Sequence, residues 1–209
     1  MAIRWLFFDI GYTLINEDQV WKKRFEEQAL LPQTAVLGLS PEAIRREVVN
    51  NTLERRPQYR SFVQKYGLIQ VAPYRHELER PYPDALAVLK VLSQRYRLGV
   101  IANQTDGLKE RLADWQMLSL FSLVISSWDH QVMKPDCRLF EIALEHAGCH
   151  AEEAVMIGDR LDNDIEPANR LGMHTVWIRQ GFGAFQHSLS TSDTPDHTIE
   201  CLSQLTELF

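Results

Sequence analysis

The sequence predicts an α/β fold: a three-layer parallel-sheet core carrying a small all-helical insertion after its first strand. Two observations carry this expectation. From residue 98 onward, short β-rich apolar runs alternate with amphipathic stretches, the pattern of βα units laid on a parallel sheet. Between residues 15 and 80 no strand-like run occurs, and the apolar spacing is helical. With 209 residues, 45% hydrophobic and 24% charged, the chain has ordinary globular composition and length for one domain bearing an insertion.

The elements follow in order. Residues 3–8 form an apolar strand cut off by Asp9, too short a run for a signal peptide. Trp21, Phe25, Gln28 and Ala29 then keep one helical face, and Ser40-Pro41-Glu42-Ala43 starts a helix with Ser40 as N-cap and Pro41 at its first position. Pro81-Tyr82-Pro83-Asp84 punctuates the return, so the core is expected at 1–14 and 81–209 and the helical insertion at 15–80. Ala85, Leu86, Leu89 and Leu92 make a helix face before a buried strand at 98–102. A helix at 107–115, a strand at 122–126 and a helix at 136–147 closed by Gly148 come next. A strand at 154–157 enters a turn and helix ending at Leu171 and Gly172, and 175–178 is a further strand. Residues 180–195, rich in Gly, Ser and Thr, read as a loop, and 198–208 as a final helix.

Composition narrows the function classes. A net charge of -6 gives no basic footprint for nucleic acid or an anionic membrane, and no apolar run approaches the ~20 residues that span a bilayer. Cys137, Cys149 and Cys201 have no C-x-x-C spacing, which argues against a disulfide framework or structural zinc and leads us to expect a reducing cytoplasm. The insertion holds 11 Lys+Arg against 9 Asp+Glu, a balance that solvated helix faces explain better than an anion-attracting lid.

In an open parallel sheet the ligand crevice lies beyond the carboxyl ends of the strands. Those ends read Asp9-Ile10-Gly11-Tyr12-Thr13-Leu14, then Ala102-Asn103-Gln104-Thr105, then a loop to Lys134-Pro135-Asp136, then Gly158-Asp159-Arg160-Leu161-Asp162-Asn163-Asp164. Acids converging with a lysine suit an anionic ligand held with a hard divalent cation, because Mg²⁺ takes carboxylate and phosphate oxygens. Asp9 and Asp159 fit the ligand role. Lys134, at an expected helix N-terminus, would face the same anion, which favours phosphate.

This ordering and spacing resembles the haloacid dehalogenase-like hydrolase superfamily over nearly the whole chain, most closely its phosphatase branch with a helical cap after the first motif. That family's first motif is an apolar strand ending D-x-D-x-T; Asp9 matches the nucleophile and Thr13 the threonine. Lys134 in "KPD" matches the family's lysine, and "GDRLDND" its acidic motif. The resemblance implies a Rossmann-like core and phosphoryl transfer through an aspartyl-phosphate on Asp9. It implies Mg²⁺ held by Asp9, Asp159 and the Gly11 carbonyl, with Asp164 ordering metal-bound water. It further implies that Lys134 neutralises Asp9, that Thr13, Asn103 and Lys134 bind the phosphoryl group, and that residues 15–80 form a cap selecting a small phosphorylated metabolite. Monomer and homodimer stay open.

Two departures matter. The family's second aspartate, the general acid and base, is Gly11 here, a loss worth roughly 10²–10⁴-fold for a poor leaving group. Ala102 stands where a Ser or Thr hydroxyl is usual, leaving Asn103, Gln104 or Thr105 to replace its hydrogen bond. These losses keep two alternatives: a carbon–halogen or carbon–phosphorus hydrolase of the same superfamily, or a phospho-ligand-binding protein with little turnover. The retained acidic motif counts against dehalogenation, which needs no metal.

Plainer readings stand beside these. Asp164 serves equally as a helix N-cap, and Asp162 and Asn163 as turn residues. Gly11 and Gly158 fit positions set by backbone conformation, with Gly11 also relieving crowding by Tyr12. His76 and His130 fit the surface, while Tyr12, Trp21, Arg24 and Lys65 lie in or near the cap as possible substrate contacts.

Overall fold

A computed structural model of the chain describes residues 2–209. The first strand, β1 (Trp5–Phe8), is followed by a short antiparallel ribbon in which β2 (Ile15–Asn16) pairs β3 (Arg80–Pro81). Between the two arms of the ribbon lie α1 (Asp18–Leu30), α2 (Pro32–Val36), α3 (Pro41–Leu53) and α4 (Gln58–Lys65). Then come α5 (Ala85–Leu92), β4 (Arg97–Ala102), α6 (Leu108–Asp114), β5 (Phe121–Ser126), α7 (Ser127–His130) and α8 (Cys137–Ala147). The chain ends with β6 (Ala154–Gly158), α9 (Glu166–Leu171), β7 (His174–Ile178), β8 (His197–Ile199) and α10 (Leu205–Leu208).

Six of the strands form a parallel sheet in the order β5-β4-β1-β6-β7-β8. β1 lies inside it, and side chains alternate across a strand. Leu6 and Phe8 therefore join the layer holding α5, α6 and α10, while Trp5 and Phe7 join the layer holding α8 and α9. Burial on both faces explains why the run is apolar throughout rather than alternating. The Asp9 N–H donates to the Ile157 carbonyl at 2.9 Å, so β1 and β6 end in step and deliver Asp9 and Asp159 together.

Local signals act where the sequence places them. The Ser40 hydroxyl accepts the Ala43 N–H at 3.2 Å, and the Asp136 carboxylate accepts the Arg138 N–H at 2.9 Å. Gly148 takes the left-handed conformation that ends α8. Because α8 starts at Cys137 with Asp136 already on its first turn, its N-terminus is not the anion site expected beside Lys134.

The structure corrects the tail and the neck of the insertion. Residues 198–208 do not form one helix: β8 extends the sheet beyond β7, and only Leu205–Leu208 is α-helical. Thr198 and Ile199 are β-branched, and the free edge of β7 supplies pairing that local sequence does not reveal. Ile15 and Asn16, expected to open a purely helical stretch, instead pair with Arg80 and Pro81 and close its neck.

The insertion has its own aromatic core. Trp21, Phe25, Ile44, Val48, Tyr59 and Phe62 cluster there, and Tyr12 and Phe182 enter from loops at the sheet edge. The Trp21 and Phe182 rings lie 5.5 Å apart at their centroids. At its far end, Gln186 donates to the Thr52 carbonyl at 2.9 Å, and Arg55 pairs with Glu166 at 3.2 Å and with Asp193.

Candidate active site

A cavity of about 430 Å³ opens at the carboxyl edge of the sheet beneath the insertion. Asp9, Lys134, Asp159 and Asp164 line its sheet side, and Trp21, Arg24, Tyr74 and His76 line the other.

Lys134 is the hub. Its Nζ donates to Asp9 Oδ1 at 2.6 Å, to Asp164 Oδ1 at 2.5 Å and to the Ile101 carbonyl at 2.9 Å. All three ammonium protons are thereby committed. Burial alone would lower the pKa of Lys134; the charges of Asp164 and Asp9 outweigh it and hold the ammonium above its usual value.

The carboxylates outnumber that cation. Ligand oxygens of Asp9, Asp159 and Asp164 all lie within 4.8 Å of one another. Burial, then the charges of Asp164 and Asp9, pushes the Asp159 carboxyl well above the carboxylate range. Burial and Asp9 also raise Asp164, to about 6, against the pull of Lys134. Three hard oxygen donors facing one ammonium fit a divalent cation of the Mg²⁺ type, which would relieve the excess of negative charge.

Two glycines are small for a reason other than backbone freedom. A Cβ on Gly158 would fall 2.4 Å from the Asp164 Cγ, so the missing side chain admits the Asp164 carboxyl. A Cβ on Gly11 would fall 2.4 Å from Glu17 Oε1 and 2.9 Å from Glu17 Cδ. The Glu17 carboxyl thus occupies the room that a residue-11 side chain would need. Tyr74 donates to Glu17 Oε1 at 2.7 Å and Trp21 Nε1 donates to Oε2 at 2.9 Å. Burial raises the Glu17 carboxyl to about 7 despite those two donors, with Glu79 and Asp9 adding to the rise. Sequence reasoning passed over Glu17 and Tyr74; the acidic pair Glu17-Asp18 just after an acid-deficient first motif was the available signal.

Other expectations change on inspection. Thr13 is fully buried, its Oγ1 has no hydrogen-bond partner among the described residues, and it does not line the cavity. Asn103 spends its side-chain amide on the backbone of Lys134, donating to the carbonyl at 2.9 Å and accepting the N–H at 2.7 Å. It therefore holds the lysine with its oxygen and one of its two amide protons, and it lines the cavity. Asp164 caps no helix: its Oδ2 accepts the Arg160 N–H at 2.9 Å inside a single π turn, Leu161–Ile165. Asp162 is buried rather than a solvated turn residue, paired with Arg160 at 2.9 and 2.5 Å and accepting from Gln186 at 2.7 Å. Asn163 does line the cavity.

Of the cap candidates, Tyr12, Trp21 and Arg24 reach the cavity, while Lys65 lies outside it and pairs with Glu47 at 2.7 Å. His76 also reaches it, bonding Glu79 at 3.0 Å and Thr105 at 2.9 Å; His130 meets His146 edge to face elsewhere. The Arg24 guanidinium lies 3.8 Å from the Tyr59 ring centroid, and among the described residues no carboxylate pairs with it. Ser127, one residue past the Ser126 that pairs with Ala102, lines the cavity, and its hydroxyl accepts the Gln104 N–H at 3.1 Å.

Comparisons with known proteins agree with this geometry. A family model described as haloacid dehalogenase-like hydrolase matches residues 6–178. A glyceraldehyde 3-phosphate phosphatase of Methanocaldococcus jannaschii is 35% identical over 149 residues, covering 68% of this chain and 62% of that protein. A phosphoserine phosphatase of Thermus thermophilus is 36% identical over 102 residues, covering 48% and 41%. The chain thus spans less than two thirds of the length of these curated relatives, 62% and 41% respectively. The solved structure of a HAD phosphatase from Thermococcus onnurineus superposes with a TM-score of 0.69 at 25% identity, covering 99% of this chain and 97% of that one. With the family match running from β1 through β7 and the strand ends gathering Asp9, Lys134 and Asp159 in one cavity, this chain belongs to the haloacid dehalogenase-like hydrolase family.

Proposed function

We propose that the chain is a Mg²⁺-dependent phosphatase that hydrolyses a small phosphorylated metabolite through an aspartyl-phosphate on Asp9. The observation that carries this reading is the Lys134 ammonium, 2.6 Å from Asp9, inside a three-carboxylate cluster on the cavity floor. Relatives named as phosphatases support the reaction class.

Asp9 attacks phosphorus in line, forming an O–P bond as the ester oxygen departs, and water later breaks the acyl phosphate. Lys134 pairs with the attacking Asp9 carboxyl and offsets charge on the transferring group. Asp9, Asp159 and Asp164, with the Gly11 carbonyl, would hold Mg²⁺, which supplies positive charge to the phosphoryl oxygens when bound. Asn103 acts by positioning Lys134. Residues 15–80 serve as the cap over a core of 1–14 and 81–209; their aromatic wall excludes water, and Arg24 favours an anionic substrate. Three unpaired cysteines support a reducing, cytoplasmic setting. The cation-ready acidic cluster weighs against the carbon–halogen alternative.

The test is hydrolysis of p-nitrophenyl phosphate by the wild type beside Asp9→Asn, with and without Mg²⁺. Activity that needs both the metal and Asp9 supports the reading. Wild-type turnover no faster than Asp9→Asn sinks it in favour of a phosphate-binding protein.

A further inference from the structure

The cavity holds a nucleophile but, at first sight, no group to protonate the oxygen that leaves. An alkyl phosphate needs one, because an unprotonated alkoxide is a poor leaving group. Most proton-bearing side chains around the cavity are committed elsewhere. Lys134 has placed all three N–H bonds. Arg24 and Arg160 do not surrender protons at working pH. Both nitrogens of His76 are occupied by Glu79 and Thr105, and the Ser127 hydroxyl is held by the Gln104 backbone. Asp159 and Asp164 belong to the acidic cluster.

Glu17 differs from all of these. Its carboxyl lines the cavity, is buried, and pairs with no Lys or Arg among the described residues. Two neutral donors anchored in the insertion, Tyr74 and Trp21, fix its position, one on each oxygen. It lies against Gly11, two residues after the nucleophile in sequence, and the glycine is what makes room for it: any side chain there would meet Glu17 Oε1 at 2.4 Å.

We infer that Glu17 is the general acid and base of this site, reaching from the residue before the first helix of the insertion into the space that Gly11 leaves empty. This rests on the phosphatase reading. In the first half-reaction Asp9 forms an O–P bond, the bond from phosphorus to the ester oxygen breaks with its electron pair going to that oxygen, and the Glu17 carboxyl gives it a proton. In the second, the Glu17 carboxylate takes a proton from water as the water oxygen bonds to phosphorus, and the acyl phosphate opens to regenerate Asp9 and release phosphate. No co-reactant other than water is consumed.

The inference has a signature that a structural role would not produce, namely dependence on the leaving group. Wild type and Glu17→Gln are compared on p-nitrophenyl phosphate, whose aryl oxide leaves without help, and on the fastest substrate from a panel of alkyl phosphate monoesters. Glu17→Gln should lower kcat/KM roughly 10²–10⁴-fold on the alkyl ester and less than about tenfold on the aryl ester. An equal loss on both, or none on either, overturns the assignment. Wild-type turnover of the aryl ester but of no alkyl ester overturns it while leaving the phosphatase reading intact; wild-type inactivity on every ester removes both. A second comparison guards against misfolding. Gly11→Asp alone should fail, since its side chain meets Glu17, whereas Gly11→Asp combined with Glu17→Ala should recover alkyl-ester turnover at least tenfold over Glu17→Ala. Absence of that recovery in protein with the wild-type thermal transition also overturns the inference.

Discussion

The side-chain amide of Asn103 grips the backbone of Lys134 from both sides, donating to its carbonyl at 2.9 Å and accepting its N–H at 2.7 Å. The grip spans the loop after β4 and the loop after α7, and it sets where the Lys134 ammonium meets Asp9. Asn103→Ala deletes both bonds, each worth about 1 kcal/mol, and lets the lysine backbone relax. We expect kcat to fall roughly 10–100-fold with KM changed much less, because both bonds that the side chain makes go to the lysine backbone. Asn103→Asp should do no better, having no donor for the carbonyl. Steady-state kinetics decide: a rise in KM at constant kcat would instead make Asn103 a substrate contact.

Much of this site was legible because each motif closes an apolar strand, and parallel strands deliver their ends to one edge. Asp9 and Asp159 needed no more than that, whereas Lys134, beyond α7, stood out only in the company of the other motifs. What escaped were relationships across the fold. Thr198 and Ile199 make a strand of three residues whose partner, β7, is visible only once the sheet exists. Gly11 reads as a missing acid in one dimension, and its reason, the Glu17 carboxyl folded back from the residue before α1, appears in three. Asp162 and Asp164 are indistinguishable as letters two apart. The π turn sends one to Arg160 and Gln186 and the other to Lys134.

That last division separates stability from catalysis. Asp162 and the Arg160 guanidinium form a buried two-point pair, and removing one member of such a pair typically costs about 3–5 kcal/mol because the other charge is stranded. Asp162→Ala is therefore expected to lower Tm by many degrees while kcat at 25 °C falls less than about tenfold. Lys134→Ala should lose about 10²–10³-fold in kcat, and because it strands Asp9 and Asp164 it should lower Tm as well, so the two variants part in kcat. Thermal melts and turnover on the same preparations test the contrast, and similar profiles for the two variants would defeat the division of roles.

Asp193 offers a test of the clasp between the insertion and the sheet domain by acid alone. It is fully buried. Burial would raise its pKa, but the Leu189 and Ser190 N–H groups, Arg55 and the Ser188 hydroxyl overcome that and hold the carboxylate well below its usual range. A group whose folded pKa is depressed contributes stability that is fully present above its unfolded value, near 3.9, and is lost as pH falls through the folded value. Asp193→Asn keeps the shape but not the charge, so at pH 7 it should cost about 1.5–3 kcal/mol, the usual worth of hydrogen bonds to a charged group. Below about pH 4 the unfolded chain takes up this proton while the folded carboxylate stays ionised, so the advantage of the wild type shrinks as pH falls toward the depressed folded value. The gap in Tm between the two proteins should therefore be constant from neutral pH to about 5 and narrow as pH drops further. A gap that stays fixed through pH 3 would mean that Asp193 acts by shape rather than by charge, and that Arg55 is held by Glu166 instead.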